Sequence, residues 1–152
     1  MALFDALFEF SDAQDISQAA GSVAATNVLD MQAADLEMGA GTPMYLNVRI
    51  GTIFDSTGGA ATLVVALVNE VDATIDGSSV VIYQTRALVE SELTAGAWVL
   101  RMPLPVNFDE QRYLGLYYTI GGETSTTGTI NAWLDHGPQS SYDTQVAASN
   151  IT

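Results

Sequence analysis

The sequence predicts an all-β domain, on three observations. The stretch AWVLRMPLPVNFDEQRYLGLYYTIGG, residues 97–122, holds two runs that alternate with a period of two. Trp98, Leu100, Met102 and Leu104 fall on one side of the first, opposite Val99, Arg101 and Pro103. Leu114, Leu116, Tyr118 and Ile120 share a side of the second, opposite Tyr113, Gly115, Tyr117 and Thr119. Successive strand side chains point to opposite faces, so this is the pattern of strands with one face on a core. Second, several further β-branched or apolar runs are bounded by Gly, Pro, Asp and Ser turn signals. Third, these runs give seven to nine strands at the short, regular spacing of a sandwich or barrel.

Taken in order, residues 1–26 read as an N-terminal arm, 27–138 as the β-domain and 139–152 as a polar C-terminal tail. The arm carries Leu3, Phe4, Leu7, Phe8 and Phe10. The i,i+4 spacing of Leu3/Leu7 and Phe4/Phe8 allows a short amphipathic helix, and an extended arm is equally allowed. These side chains either fold back on the domain's own core or anchor in another subunit, where each stabilises a contact by roughly 1.5–3 kcal/mol. Ser11 with Gln14 fits a capping box. Val28, Leu29 and Met31 suggest a short edge strand.

From Pro43 the pattern sharpens: Met44, Leu46, Val48 and Ile50 alternate with Tyr45, Asn47, Arg49 and Gly51. The loop 55–59 (DSTGG) is a turn, and 61–68 (ATLVVALV) is apolar on both sides, as in a central or covered strand. Residues 80–85 and, less cleanly, 87–93 continue the series before a turn at Thr94-Ala95-Gly96. Last, Ile130, Ala132 and Leu134 point inward and Trp133 outward, and Gly137-Pro138 ends the strand.

Composition narrows the function. At 152 residues the chain is one domain's length, able to bury about two thirds of its unfolded surface. With no cysteine, disulfides, thiolate zinc sites and cysteine nucleophiles are excluded. Eighteen acidic residues stand against four arginines (Arg49, Arg86, Arg101, Arg112) and no lysine, a net charge of −14. Phosphate backbones and anionic lipid need cationic neutralisation, so neither nucleic acid nor a membrane is an expected partner. No run approaches the ~20 apolar residues of a membrane-spanning helix. The start, MALFDALFEF, lacks a basic n-region and carries Asp5 and Glu9, so no export signal is expected.

No constellation points to catalysis. His136 is the single histidine, and Asp135 beside it faces the other side of a strand and cannot orient it in a triad with Ser140 or Ser141. Glu70, Asp72 and Asp76, or Asp109 and Glu110, lack the spacing of a known calcium loop and read as solvated turns. Glu90 and Glu92 would share a strand face, but a carboxylate pair for glycoside hydrolysis needs a geometry that spacing does not supply. Gly58-Gly59 and Gly121-Gly122 are turn pairs, not phosphate cradles. No catalytic residue, metal or cofactor is expected. What remains is Tyr45, Tyr117 and Trp133 on non-core faces, suited to a protein interface or to stacking on sugar rings.

With these residues in view, the chain resembles the small capsid cement (decoration) proteins of short-tailed bacteriophages. The resemblance rests on FSDAQ (10–14), TNVLD (26–30), GTPMYL (41–46), ATLVVAL (61–67), LTAG (93–96), LP (104–105), RYLGLYY (112–118) and GTINA (128–132), in that order and spacing. It implies a jelly-roll-type β-sandwich and a non-catalytic protein on the outside of a phage head. Such a protein bridges neighbouring subunits of the major capsid protein against internal DNA pressure. It also implies a homo-dimer or homo-trimer, with avidity across several modest contacts as the mechanism. Contact with shell or sister subunit is expected at Leu3, Phe4, Leu7, Phe8, Phe10, Tyr45, Tyr117 and Trp133. The alternative is a carbohydrate-binding module using the exposed aromatics.

Overall fold

The computed structural model describes residues 6–32, 41–106 and 111–136. In chain order the strands are β1 (Glu9–Asp15), β2 (Gly21–Ala24), β3 (Leu29–Asp30), β4 (Tyr45–Ile50), β5 (Asp55–Ser56) and β6 (Thr62–Glu70). There follow β7 (Val80–Gln84), β8 (Leu88–Val89), β9 (Trp98–Pro103), β10 (Tyr113–Gly121), β11 (Ser125–Thr127) and β12 (Thr129–Asp135). Single 3-10 turns at Ala6–Phe8 and Glu90–Glu92 are the helical elements among the described residues.

Two sheets face each other, and every strand pair in them is antiparallel. One is four-stranded, in the order β1-β12-β4-β9. The other has the order β2-β10-β6-β7, with β3 also on β10 and β8 also on β6. A small ribbon of β5 and β11 closes one end. The alternation read from the sequence is what builds the core. Leu46, Val48 and Ile50 of β4 and Ile130, Ala132 and Leu134 of β12 meet Leu63, Val65 and Leu67 of β6 and Leu114, Leu116, Tyr118 and Ile120 of β10, none more than 1% exposed. Burying each of the large side chains contributes roughly 1.5–3 kcal/mol.

One polar link crosses this core. The Tyr118 hydroxyl lies 2.8 Å from Ser11 Oγ, and Ser11 donates to Gln14 Oε1 at 2.7 Å. A hydroxyl has one proton, so Ser11, already donating to an acceptor-only oxygen, accepts from Tyr118. Gln14 Oε1 also takes the Thr26 backbone N–H, and its Nε2 donates to the Ala24 carbonyl. The chain of bonds ties β10 of one sheet to β1 of the other and to the end of β2.

The 61–68 run is apolar on both sides because β6 is central and covered. Its outward Ala66 and Val68 pack with Ile75 of the loop that folds back over the sheet, and Ala24, Val28 and Tyr117 complete this second cluster. Gly115 is required there, since a Cβ at that position would stand 2.7 Å from Ile75 Cγ1.

Three expectations need correction. Residues 9–24 are not an arm: β1 pairs with β12 and β2 with β10, and Phe10 and Ile16 are buried in the core. The Ser11–Gln14 pair caps no helix. It spans an irregularity of β1 where the register with β12 shifts and Ala13 takes φ +43°, so its hydrogen bond closes a bulge. Residues 87–93 are not one strand: β8 stops after two residues and the chain turns through Glu90–Glu92, because Glu90 is drawn to Ser56 Oγ (2.5 Å) and the Ala61 N–H (3.1 Å).

Candidate protein-docking face

The outward face of the four-stranded sheet gathers the side chains of greatest interest. With Leu46, Val48 and Ile50 inward, Tyr45, Asn47 and Arg49 of β4 point out. Across the ladders lie three rows: Asn131–Arg49–Trp98, Trp133–Asn47–Arg101 and Asp135–Tyr45–Pro103. The alternation of 98–104 placed Trp98 inward with Leu100, and the structure reverses this. The β4–β9 register shifts between Val48 and Arg49, so Val99 is the extra residue and packs toward the core while Trp98 turns outward. A bulge inserts one residue and re-aims the next side chain, which period counting cannot register.

Trp98 and Trp133 rings stand 5.9 Å apart, tilted by 57°. The Arg101 guanidinium carbon lies 4.5 Å from the Trp98 ring centre and that of Arg49 lies 5.6 Å from it. Such cation–ring contacts contribute about 0.5–1 kcal/mol when exposed. Arg49 Nε also donates to the Gly96 carbonyl at 3.0 Å, which fixes its stem at the rim of a shallow depression lined by Ile50, Gly51, Ala95, Gly96 and Asn131. Beneath the patch Asn47 is fully buried: its Nδ2 donates to the Tyr45 carbonyl, and its Oδ1 has no donor among the described residues.

The electrostatics of this face are unlike the rest of the chain. Of the four arginines, Arg86 pairs with Glu92 and Arg112 with Asp30, the latter through two bonds of 2.8 Å. Arg112, helped by the Gln32 N–H, holds the Asp30 carboxyl down at about 2. Arg49 and Arg101 have no carboxylate partner among the described residues. The two cations left over in a chain of net charge −14 therefore share one tryptophan. The nearest carboxylates along the same ladders are Asp135, which accepts the His136 N–H, and Glu9, opposite Trp133. Burial first, and Asp12 second, raise the Glu9 carboxyl above its ordinary value.

The residues expected to make contacts divide as follows. Tyr45 and Trp133 come to this face, though Trp133 is only 7% exposed. Tyr117 lies on the other sheet, packed in the cluster around Ile75. Phe10 is a core residue and Phe8 packs half-buried against the core, whereas Leu7 is 78% exposed. Leu3 and Phe4 lie outside the described residues. Trp98, Arg49 and Arg101 were not singled out from the sequence. The available signal was the scarcity of cations: four in the chain, two of them bracketing Trp98 in the finished sheet.

Other described acidic groups brace loops and turns. Asp72 accepts the Thr74 N–H, and Asp76 accepts both the N–H and hydroxyl of Ser78. Glu90 and Glu92 diverge, the first to Ser56 and the second to Arg86. Glu123 joins Glu90 at Ser56 Oγ (3.0 Å) and takes the Gly58 N–H, bracing the 56–61 loop. Asp109 and Glu110 lie outside the described residues.

Comparison with curated proteins returns no significant match. The family model Bbp16 matches residues 10–134, from within β1 almost to the end of β12 and so through both sheets. The chain belongs to the Bbp16 family.

Proposed function

We propose that this chain is a structural cement or decoration protein, binding the outer surface of a phage head and bridging neighbouring major capsid protein subunits. The observation that carries the reading is the Tyr45–Arg49–Trp98–Arg101–Trp133 face, because Trp, Tyr and Arg are the residue types that dominate interface energetics when clustered. The acidic remainder of the surface opposes non-specific docking elsewhere. The sheet orders also support the resemblance. Numbered among the eight principal strands, they run 1-8-3-6 and 2-7-4-5, the double Greek-key winding of a jelly roll.

Self-association as a homo-dimer or homo-trimer belongs to the same proposal. The β7 edge supports it, carrying exposed Val80, Val81 and Tyr83 and no charged residue. The virion exterior follows as the site of action. Among the described residues no helix is long and apolar enough to cross a membrane. Sugar stacking finds less support, since Tyr117 and Trp133 are largely covered and both arginines crowd the Trp98 ring.

The test is decoration of purified, undecorated heads, followed by co-sedimentation and electron microscopy. Wild-type protein binds at saturable, symmetry-related positions and Trp98→Ala binds at least tenfold more weakly while keeping its β circular dichroism. Absence of wild-type binding, or full binding by Trp98→Ala, refutes the assignment. Deleting 2–10 would remove core residue Phe10, so the contribution of Leu3 and Phe4 is better tested by deleting 2–5.

A further inference from the structure

The cations of this face indicate what the chain docks on. We infer that Arg49 and Arg101 receive carboxylate side chains of the partner protein, an Asp/Glu-bearing segment laid across Trp98. This rests on the docking reading above. Arg49 and Arg101 are exposed, side by side against one ring and without an acidic partner among the described residues, although acidic residues outnumber cations 18 to 4. The other two arginines are each held by a neighbouring carboxylate.

A guanidinium presents a planar fork that matches a carboxylate through two parallel hydrogen bonds. Trp98 restrains Arg101 by stacking, and Gly96 restrains Arg49 by accepting from Nε, which leaves the Arg49 terminal nitrogens to a ligand. Preorganised forks lose less freedom on binding than mobile ones. Any acidic partner is repelled by the rest of the surface, so it is admitted at this face and turned away elsewhere.

Phosphate backbones also pair with arginine and stack on tryptophan. Nucleic-acid binding, however, draws its affinity from neutralising several phosphates, and two cations in a field of −14 supply little of that. A carboxylate-bearing protein segment is the occupant the charge pattern favours.

The chain's two tryptophans, Trp98 and Trp133, both lie on this face, so intrinsic tryptophan fluorescence reports on it alone. The full chain is titrated at low salt with hexaglutamate, hexalysine and a dodecamer of thymidylate. The expected result is a saturable tryptophan response to hexaglutamate, at least tenfold weaker in Arg49→Gln/Arg101→Gln and partly retained in Arg49→Lys/Arg101→Lys. Unchanged circular dichroism confirms that the variants fold. No saturable response to hexaglutamate, an equal response in the Gln variant, or tighter binding of the oligonucleotide overturns the inference. On undecorated heads the Gln variant should bind at least tenfold more weakly, with a flattened salt dependence. Failure of the wild-type protein to bind heads refutes the docking reading alone, and the peptide titration still decides the chemistry.

Discussion

Tyr118→Phe should destabilise the protein at neutral pH and stabilise it relative to wild type in strong alkali. The phenol is fully buried, donates across the core to Ser11 and is enclosed by Leu and Ile side chains of both sheets. Removing the hydroxyl deletes one hydrogen bond and leaves Ser11 still donating to Gln14, a cost of about 0.5–1.5 kcal/mol at pH 7. The alkaline side has the opposite sign. Burial pushes the Tyr118 phenol well above the ordinary tyrosine value, and the bond to Ser11 offsets this only in part. The folded state thus keeps its proton where the unfolded chain, with a tyrosine pKa near ~10, has lost it. The stability contribution is complete below pH ~10 and falls as pH rises toward the folded-state value, by about 1.4 kcal/mol per pH unit.

Between pH 10 and 12 the wild type therefore loses on the order of 2 kcal/mol through this residue alone, and Tyr118→Phe loses none of it. The other five tyrosines are common to both proteins and cancel in the difference. Setting the lost hydrogen bond against the titration puts the crossover between about pH 10 and 11. The assay is urea unfolding of both proteins at half-unit steps from pH 7 to 12. Parallel stability curves, with no crossing, would show that Tyr118 ionises in the folded state and that the hydroxyl is not sealed in the core.

Three further outcomes are expected. Asp30→Asn should flatten the acid limb of thermal stability: the depressed Asp30 carboxyl contributes fully above an ordinary aspartate pKa of ~3.9 and loses that contribution as pH falls toward about 2, so melting temperatures from pH 5 to 2.5 should drop more steeply in wild type than in the variant. Gly122→Ala should cost more than Gly115→Ala in chemical denaturation, because Gly122 has φ +74° and an added Cβ would lie 2.2 Å from the Ala60 carbonyl oxygen, whereas at Gly115 the clash is with the Ile75 side chain. The backbone term alone at Gly122 is about 1–3 kcal/mol. Val81→Lys should abolish concentration-dependent self-association in sedimentation equilibrium without loss of β structure, and an unchanged association constant would remove the β7 edge from the oligomer contact.

Most of the sandwich is written as alternation in the sequence, and where one face of a strand meets the core the pattern is reliable. Leu46/Val48/Ile50 and Leu114/Leu116/Tyr118/Ile120 needed only a period of two. The pattern fails where backbone irregularity or polar pairing intervenes. Trp98 sat in register with Leu100 until one extra residue at Val99 reversed it. Phe8 and Phe10 read as an arm because β1 is an edge strand, bulged around Ala13 and carrying Glu9, Asp12 and Asp15 among its apolar positions. Tyr117 looked available because the loop that covers it, folding Ile75 onto Gly115, lies some 40 residues away in sequence. The candidate face was half legible: its aromatic members Tyr45 and Trp133 follow from periodicity, while Trp98 and its two arginines depend on a register shift.

The two outward faces of the sandwich differ in what covers them among the described residues. Over the six-stranded sheet, Ile75 and Val28 close on Ala66, Val68 and Tyr117, spending that face on the molecule's own packing. Over the four-stranded sheet nothing comparable lies among the described residues. Its centre holds a half-buried Trp98 beside a buried Trp133, two exposed guanidiniums with no carboxylate among the described residues, and a buried asparagine whose Oδ1 finds no donor among them. Arg86 and Arg112 are each paired with a carboxylate, whereas Arg49 and Arg101 have none among the described residues. On the docking proposed above, a partner carboxylate would supply the pairing that Arg49 and Arg101 lack among the described residues.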